Sequence, residues 1–211
     1  MRVLIADDHA LIRDGLAEIL RHNADVEIVA LAATGREAVR LALALQPDVA
    51  VLDIMMPEQN GIDATLELAR RAPQVKVVML SMHGGSQHVF QALAAGAHGY
   101  LLKQSASREI IEALRAVHAG HRYLSKEVSE TVAEQLGKPQ QTSPLESLSV
   151  RERQVLQQVA EGHSSAKIAE TLHLSPKTID TYRSRLMQKL GVADVTGLVK
   201  FAILHGLTPL E

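Results

Sequence analysis

The sequence predicts an α/β domain, a doubly wound five-stranded parallel sheet, followed by a smaller all-helical domain. Three observations carry this. Five short apolar runs alternate with helical patterns over residues 1–120. A polar stretch with two prolines then interrupts the chain at 137–144. Beyond it apolar residues recur only at helical spacing.

The runs at 3–6, 26–31, 49–52, 75–80 and 99–102 are short and predominantly apolar, broken only by Glu27 and Lys76, as expected of buried strands. Each precedes a helical stripe. The first holds Ile12, Leu16, Ile19 and Leu20, the second Ala38, Leu41, Ala42 and Leu45, the third Ile62, Leu66 and Ala69. Val89, Phe90, Leu93 and Ala94 mark the fourth, and Ile110, Ile111, Leu114 and Val117 the fifth. Right-handed crossovers then place helices on both faces of the sheet. A further helix is expected at 125–136, and 137–144 reads as a flexible linker. The domains are thus 1–120, a linker helix and linker at 121–145, and 146–211.

In the last domain Ser149 and Glu152 fit a capping box ahead of Val155, Leu156 and Val159. Gly162 ends that helix. Ile168, Ala169 and Leu172 form a short second one. Leu174-Ser175-Pro176 reads as a turn, an N-cap and a proline at the first helical position. Ile179, Tyr182, Leu186 and Leu190 give the third helix its stripe, which Gly191 stops. Two short helices meeting at a tight turn fit a helix-turn-helix.

Composition narrows the function classes. Hydrophobic residues make up 46% of the 211, and charged residues 22%, an ordinary globular balance. With three tyrosines and two phenylalanines, the cores must be filled by Leu, Val, Ile and Ala. The absence of cysteine removes disulfides and thiolate metal sites and fits a cytoplasmic setting. Asp7 and Asp8 interrupt the first apolar run too early for a secretory leader, and no apolar run is long enough for a membrane span. The histidines lack repeated ligand spacing, so no transition-metal site is expected. A net charge of −2 does not by itself suggest nucleic acid.

In open parallel sheets ligands bind beyond the carboxyl ends of the strands. Asp7 and Asp8 follow the first run, Asp53 the third, Ser81 the fourth, and Lys103 closes the fifth. An aspartate after a strand is ordinarily an N-cap or turn residue. Three carboxylates, a hydroxyl and an amine at one edge are harder to dismiss. The set suits phosphoryl transfer to a carboxylate: Mg²⁺ takes one or two carboxylates plus water and phosphate oxygens, a carboxylate can be the nucleophile, and a lysine can neutralise the moving charge.

The joint pattern Asp7-Asp8, Asp53-Ile54-Met55-Met56-Pro57 with Gly61, Leu80-Ser81 and Gly99-Tyr100-Leu101-Leu102-Lys103 resembles the receiver domain of response regulators. The resemblance covers roughly 1–120 and implies a flavodoxin/CheY-like strand order, 2-1-3-4-5. It implies phosphorylation of Asp53 by a sensor histidine kinase, with Mg²⁺ held by Asp8 and Asp53, assisted by Asp7 and the Met55 backbone carbonyl. Ser81 and Tyr100 would form the switch pair, and Lys103 would contact the phosphate. If Ser81 moves inward to the phosphate, Tyr100 can fill the vacated volume; an ordinary core tyrosine is the plainer alternative. Gln104 stands where many receivers have proline, and a cis Lys103–Gln104 bond would cost about 3–4 kcal/mol, so its geometry is open. His83 either tunes hydrolysis or is an exposed loop residue.

Leu148-Ser149-Val150-Arg151-Glu152, Ala160-Glu161-Gly162, Ile168-Ala169, Leu174-Ser175-Pro176-Lys177-Thr178-Ile179 and Lys189-Leu190-Gly191-Val192 resemble the LuxR-type DNA-binding domain. Together the resemblances point to the NarL/FixJ type of regulator: a four-helix domain whose third helix enters the major groove of promoter DNA, and whose fourth, at 195–205, dimerises. They imply a homodimer when active and a recognition helix masked before phosphorylation. RNA polymerase is a candidate partner, and no membrane is involved. The groove-facing candidates are Lys177, Thr178, Thr181, Ser184, Arg185 and Gln188. Lys177, Arg183 and Lys189 are candidate phosphate clamps, and Arg185 the candidate guanine reader. Over 176–190 four Lys/Arg face one Asp. Ser164-Ser165-Ala166-Lys167 departs from the family's common Ser-Asn-Lys-Glu. Asp180 stands where several relatives carry lysine; it either accepts from a cytosine or caps the helix, the second being preferred here.

Two other classes compete: a protein-interaction switch whose helical domain binds protein, and a constitutive DNA binder with an inert receiver. The second would be betrayed by a missing acidic-site residue, and none is missing. Self-catalysed phosphorylation and dephosphorylation are the only chemistry expected, so the chain reads as a regulator and not an enzyme.

Overall fold

The computed structural model describes residues 1–82, 84–135, 144–205 and 207–208, and the chain divides into two compact units, 1–140 and 141–211. In the first, β1 (Arg2–Ala6), α1 (Ala10–Arg21), β2 (Glu27–Ala32), α2 (Gly35–Leu45), β3 (Val49–Asp53) and α3 (Gly61–Arg71) are followed by β4 (Lys76–Ser81), α4 (Ser86–Ala94), β5 (Gly99–Leu102) and α5 (Lys103–His118). A short β6 (Tyr123–Leu124) and α6 (Lys126–Gln135) complete it. The strands are parallel in the order β2-β1-β3-β4-β5-β6.

The sheet therefore has six strands, not the expected five. The chain turns at Gly120, whose φ of +90° is available to glycine at little cost. Tyr123 N then donates to His98 O at 3.1 Å and Ser125 N to Tyr100 O at 3.0 Å. Tyr123 and Leu124 are half-buried, and a two-residue edge strand leaves no apolar run to read.

Successive residues of each central strand pack on opposite faces, as a period of two requires. Val3 and Ile5, Val49 and Val51, Val78 and Leu80, and Leu101 join Leu16 and Leu20 of α1 and Ile110, Leu114 and Val117 of α5. Leu4 and Ala6, Ala50 and Leu52, Val77 and Met79, and Tyr100 face Val39 and Ala42 of α2, Leu68 of α3, Val89 of α4 and Val128 of α6. Burial on both faces is why these strands are continuously apolar. The caps fix the helix starts. Thr34 accepts from Glu37 N at 3.1 Å ahead of α2, and Asn60 from Asp63 N at 2.8 Å ahead of α3.

The second unit has a 3₁₀ turn (Pro144–Ser147) and four helices: α7 (Val150–Ala160), α8 (Ser165–Leu172), α9 (Pro176–Leu190) and α10 (Val195–Leu204). The capping box is formed: Glu152 N donates to Ser149 Oγ at 3.2 Å and Ser149 N to a Glu152 carboxylate oxygen at 2.7 Å. Ser164 and Ser175 cap α8 and α9 through Lys167 N and Thr178 N. Pro176 opens α9, and Gly191 closes it at a φ of +66°. Leu145, Leu148, Val155, Leu156, Ile168, Leu172, Ile179, Leu186, Leu198 and Ala202 form one core, with Tyr182 and Leu190 partly buried against it. Of the expected linker, residues 137–143 lie outside the described residues, and so does His83. Among the described residues no helix is long and apolar enough to cross a membrane.

Candidate functional site

Because the strands are parallel, their carboxyl ends share one edge, and the five polar residues meet there. Asp7 follows β1, Asp53 and Ser81 are the last residues of β3 and β4, and Lys103 opens α5 directly after β5. Asp7 is fully buried, and Asp53 and Ser81 are 2% and 3% exposed. Lys103 Nζ lies 2.8 Å from Asp7 Oδ2 and 2.8 Å from Asp53 Oδ2. Apart from this ammonium, neither oxygen has a hydrogen-bond partner among the described residues. Asp8 stands at the mouth, its side chain 30% exposed.

The backbone around Asp53 is held tightly. Ile54 N donates to Leu80 O at 3.0 Å and Gly61 N to Ile54 O at 2.9 Å. A Cβ on Gly61 would stand 2.0 Å from the Asp53 carbonyl oxygen, so the close approach of α3 requires glycine. Met55 lies two residues beyond Asp53 in this turn, partly buried.

Burial and the neighbouring Asp7 charge push the Asp53 carboxyl up to about 6, against the pull of Lys103. For Lys103, burial pulls downward, but Asp53 and Asp7 outweigh it and hold the ammonium above its ordinary range. The pocket carries more carboxylate charge than one lysine offsets. Together with the two buried oxygens that have only Lys103 for a partner, this oxygen-rich set fits a hard divalent cation. Donor atoms of Asp7, Asp8, Asp53 and His9 all lie within 4.8 Å of one another.

His9 was not singled out from the sequence. Its Nδ1 is 2.8 Å from Asp8 Oδ1, and its backbone N donates to Asp7 Oδ1 at 2.9 Å. The signal was its adjacency to Asp8; the side-chain direction that makes it matter is not a sequence property.

Tyr100 is fully buried, and its hydroxyl is hydrogen-bonded to Ser81, with burial raising its pKa to about 12. Tyr100 is therefore held in the core with Ser81 as its hydroxyl partner. Lys103–Gln104 is trans, as there is no cis peptide among the described residues.

On α9, Lys177, Thr181, Ser184, Arg185 and Gln188 are exposed, at spacings that put them along one side of the helix. Thr178 is half-buried, and its hydroxyl is 2.8 Å from Ser175 Oγ. The hydroxyls of Thr181 and Ser184 donate to the carbonyls of Lys177 and Asp180. Lys189 Nζ donates to Glu152 of the capping box at 3.0 Å. Arg183 is half-buried, and its Nη1 donates to Ser165 Oγ at 2.8 Å. Asp180 does not cap its own helix, a role held by Ser175; its Oδ1 accepts from Ser165 Oγ at 2.7 Å across the turn.

Comparison with known proteins agrees with both halves. Residues 3–115 match the response regulator receiver domain, and residues 146–202 match the bacterial regulatory proteins of the luxR family. The chain is 37% identical over 212 residues to response regulator UvrY of Escherichia coli O6:H1, covering all of this chain and 97% of that protein. It is 36% identical to response regulator GacA of Pseudomonas aeruginosa, covering 98% and 97% of the two chains. The solved response regulator RcsB–DNA complex superposes with a TM-score of 0.61 at 27% identity, over 95% of this chain and 96% of that one. This chain therefore belongs to the two-component response regulators of the NarL/FixJ type, transcription regulators in which a receiver domain is joined to a luxR-family DNA-binding domain.

Proposed function

We propose that Asp53 is the phosphoacceptor of a cytoplasmic switch in which a sensor histidine kinase, through Mg²⁺-dependent transfer, controls binding to promoter DNA. The observation that carries this is the ammonium of Lys103 at 2.8 Å from both the Asp7 and Asp53 carboxylates, in a buried pocket at the sheet's carboxyl edge. Asp7, Asp8 and Asp53, with the Met55 carbonyl, would hold Mg²⁺, which when bound neutralises charge on the transferring oxygens.

The chain's own groups do the rest. A pKa of about 6 leaves Asp53 mostly ionised at neutral pH while keeping it a stronger base than an ordinary aspartate. One of its oxygens bonds to phosphorus as the bond to the kinase imidazole breaks. Lys103 is positioned to follow the added charge. The phosphoryl oxygens then compete with Tyr100 for the Ser81 hydroxyl. Losing that partner frees Tyr100, which packs in the same core as Val89 of α4, and so changes the surface around α4.

In the second unit, α9 offers Lys177, Thr178, Thr181, Ser184, Arg185 and Gln188 to the major groove, with Arg185 as guanine reader and Lys177 and Lys189 toward phosphates. The RcsB–DNA complex, which matches over 95% of this chain, supports this reading. The active species is a homodimer on two half-sites, and RNA polymerase is a further partner in this reading. Asp53→Asn should abolish acyl-phosphate labelling by a phosphorylated kinase while leaving the circular dichroism spectrum unchanged. Mg²⁺-dependent labelling that persists in this variant would remove Asp53 as acceptor.

A further inference from the structure

The helix-turn-helix contains a polar relay that the DNA-contact reading does not use. Ser165, the first residue of α8, accepts from Arg183 Nη1 at 2.8 Å and donates to Asp180 Oδ1 at 2.7 Å. One hydroxyl thus stands between a guanidinium and a carboxylate, both carried by α9. Each bond is charge-assisted, so each is stronger than a bond between neutral groups, and the hydroxyl is polarised in the same sense by both. Arg183 is half-buried, and its Nε is buried without a hydrogen-bond partner among the described residues. A guanidinium seated this way faces α8, whereas Lys177, Thr181, Arg185 and Gln188 lie along the exposed side.

We propose that Ser165, Asp180 and Arg183 are positioning residues that fix the angle of α9 against α8, and that Arg183 contributes no phosphate contact. The placement accounts for Asp180, which adds a negative charge to a helix meant for DNA: the relay offsets that charge within the protein. An asparagine side chain, like the Ser165 hydroxyl, can both donate and accept at one site. Holding α9 against α8 sets where Lys177 and Arg185 fall in the groove. The inference rests on α9 being the DNA-contacting helix, which the wild-type measurement below tests separately.

The test is a salt titration of the phosphorylated full-length protein on a double-stranded DNA of about 30 base pairs, roughly three turns, taken from upstream of its own coding region. Each phosphate contact adds about 0.9 to the slope of log K against log salt. Arg183→Ala and Ser165→Ala should each weaken binding by roughly ten- to a hundredfold, the loss expected of one charge-assisted hydrogen bond. Neither should change the slope, and their effects should not add. Ser165→Asn should restore binding. A slope reduced by about one in Arg183→Ala alone, or full binding by both alanine variants, would overturn the inference. If Arg183→Ala does not fold, as judged by its melting curve, the Ser165→Ala and Ser165→Asn pair decides: unrestored binding in Ser165→Asn overturns it. Wild-type protein without measurable affinity would remove the DNA reading itself, and this inference with it.

Discussion

Asp53 holds a charge at neutral pH that its surroundings oppose. Its carboxyl titrates at about 6, against an ordinary value of 3.8, because burial and Asp7 disfavour the anion more than Lys103 favours it. A folded-state pKa raised above the unfolded one gives a contribution that is complete below about pH 4 and is lost as pH rises through 6. At pH 7.5 the ionised side chain therefore costs stability, by about 1–3 kcal/mol for a shift of this size. Asp53→Asn, which keeps the shape and removes the charge, should stabilise the metal-free protein by that amount at pH 7.5. The gain should fall towards zero as pH approaches 4. Urea unfolding in a chelator, followed by circular dichroism at both pH values, measures it; an equal gain at both would mean that charge is not the cause. Added Mg²⁺ should stabilise the parent more than the variant, since a cation that binds only the folded, ionised site adds stability by mass action.

The turn from β3 to α3 shows how an element holds such a residue in place. Gly61 N bonds Ile54 O at 2.9 Å, and a methyl group on Gly61 would meet the Asp53 carbonyl oxygen at 2.0 Å. Backbone cannot yield as a side-chain tip can. Gly61→Ala should therefore cost about 1–3 kcal/mol of stability, the range for overpacking, and slow phosphoryl labelling while Asp53 itself is intact. Parent-like labelling and melting would show that the turn has slack. Gly61 was legible in the sequence as part of a motif, but its reason was not, because a close approach between two carbonyl-bearing turns leaves no pattern. The four central strands were legible because burial on both faces favours apolar runs, and the edge strand β2 because its run from Ile28 to Leu31 is apolar; the bounds were less so, with β2 starting at Glu27 and β4 at Lys76, each one residue later than expected. Tyr123–Leu124 is too short and too exposed to leave that signature. The convergence of Asp7, Asp53, Ser81 and Lys103 followed from parallel topology alone. The partners of Asp180 and Arg183 did not: both reach Ser165, 15 and 18 residues earlier in the chain, and local spacing cannot report a contact across a turn.

At the scale of the whole chain, a receiver and a DNA-binding domain can be coupled only if phosphorylation has different free energies in the binding-competent and binding-incompetent states. The receiver has a source for that difference. The Ser81 hydroxyl is now bonded to Tyr100, and a phosphoryl group on Asp53 offers it a charged acceptor. That exchange would alter the core around Tyr100, which includes Val89 of α4 and Val128 of α6. Tyr100 O also accepts from Ser125 N at 3.0 Å, and Ser125 immediately precedes α6, so the start of that helix is tied to Tyr100 itself. Coupling of this kind is typically worth about 1–3 kcal/mol, or 5- to 150-fold in affinity. Phosphorylated protein should accordingly bind a two-half-site operator more tightly than unphosphorylated protein by a factor in that range. Tyr100→Ala should reduce the factor even when labelling of Asp53 is unchanged, which separates transmission from chemistry. Mobility shifts of the parent and the variant in both phosphorylation states give all four affinities. Equal affinity in the two states of the parent would mean that the phosphoryl group is not read by the DNA-binding domain at all. A factor preserved in Tyr100→Ala would place the transmission elsewhere, in elements that touch the phosphoryl group without passing through β5.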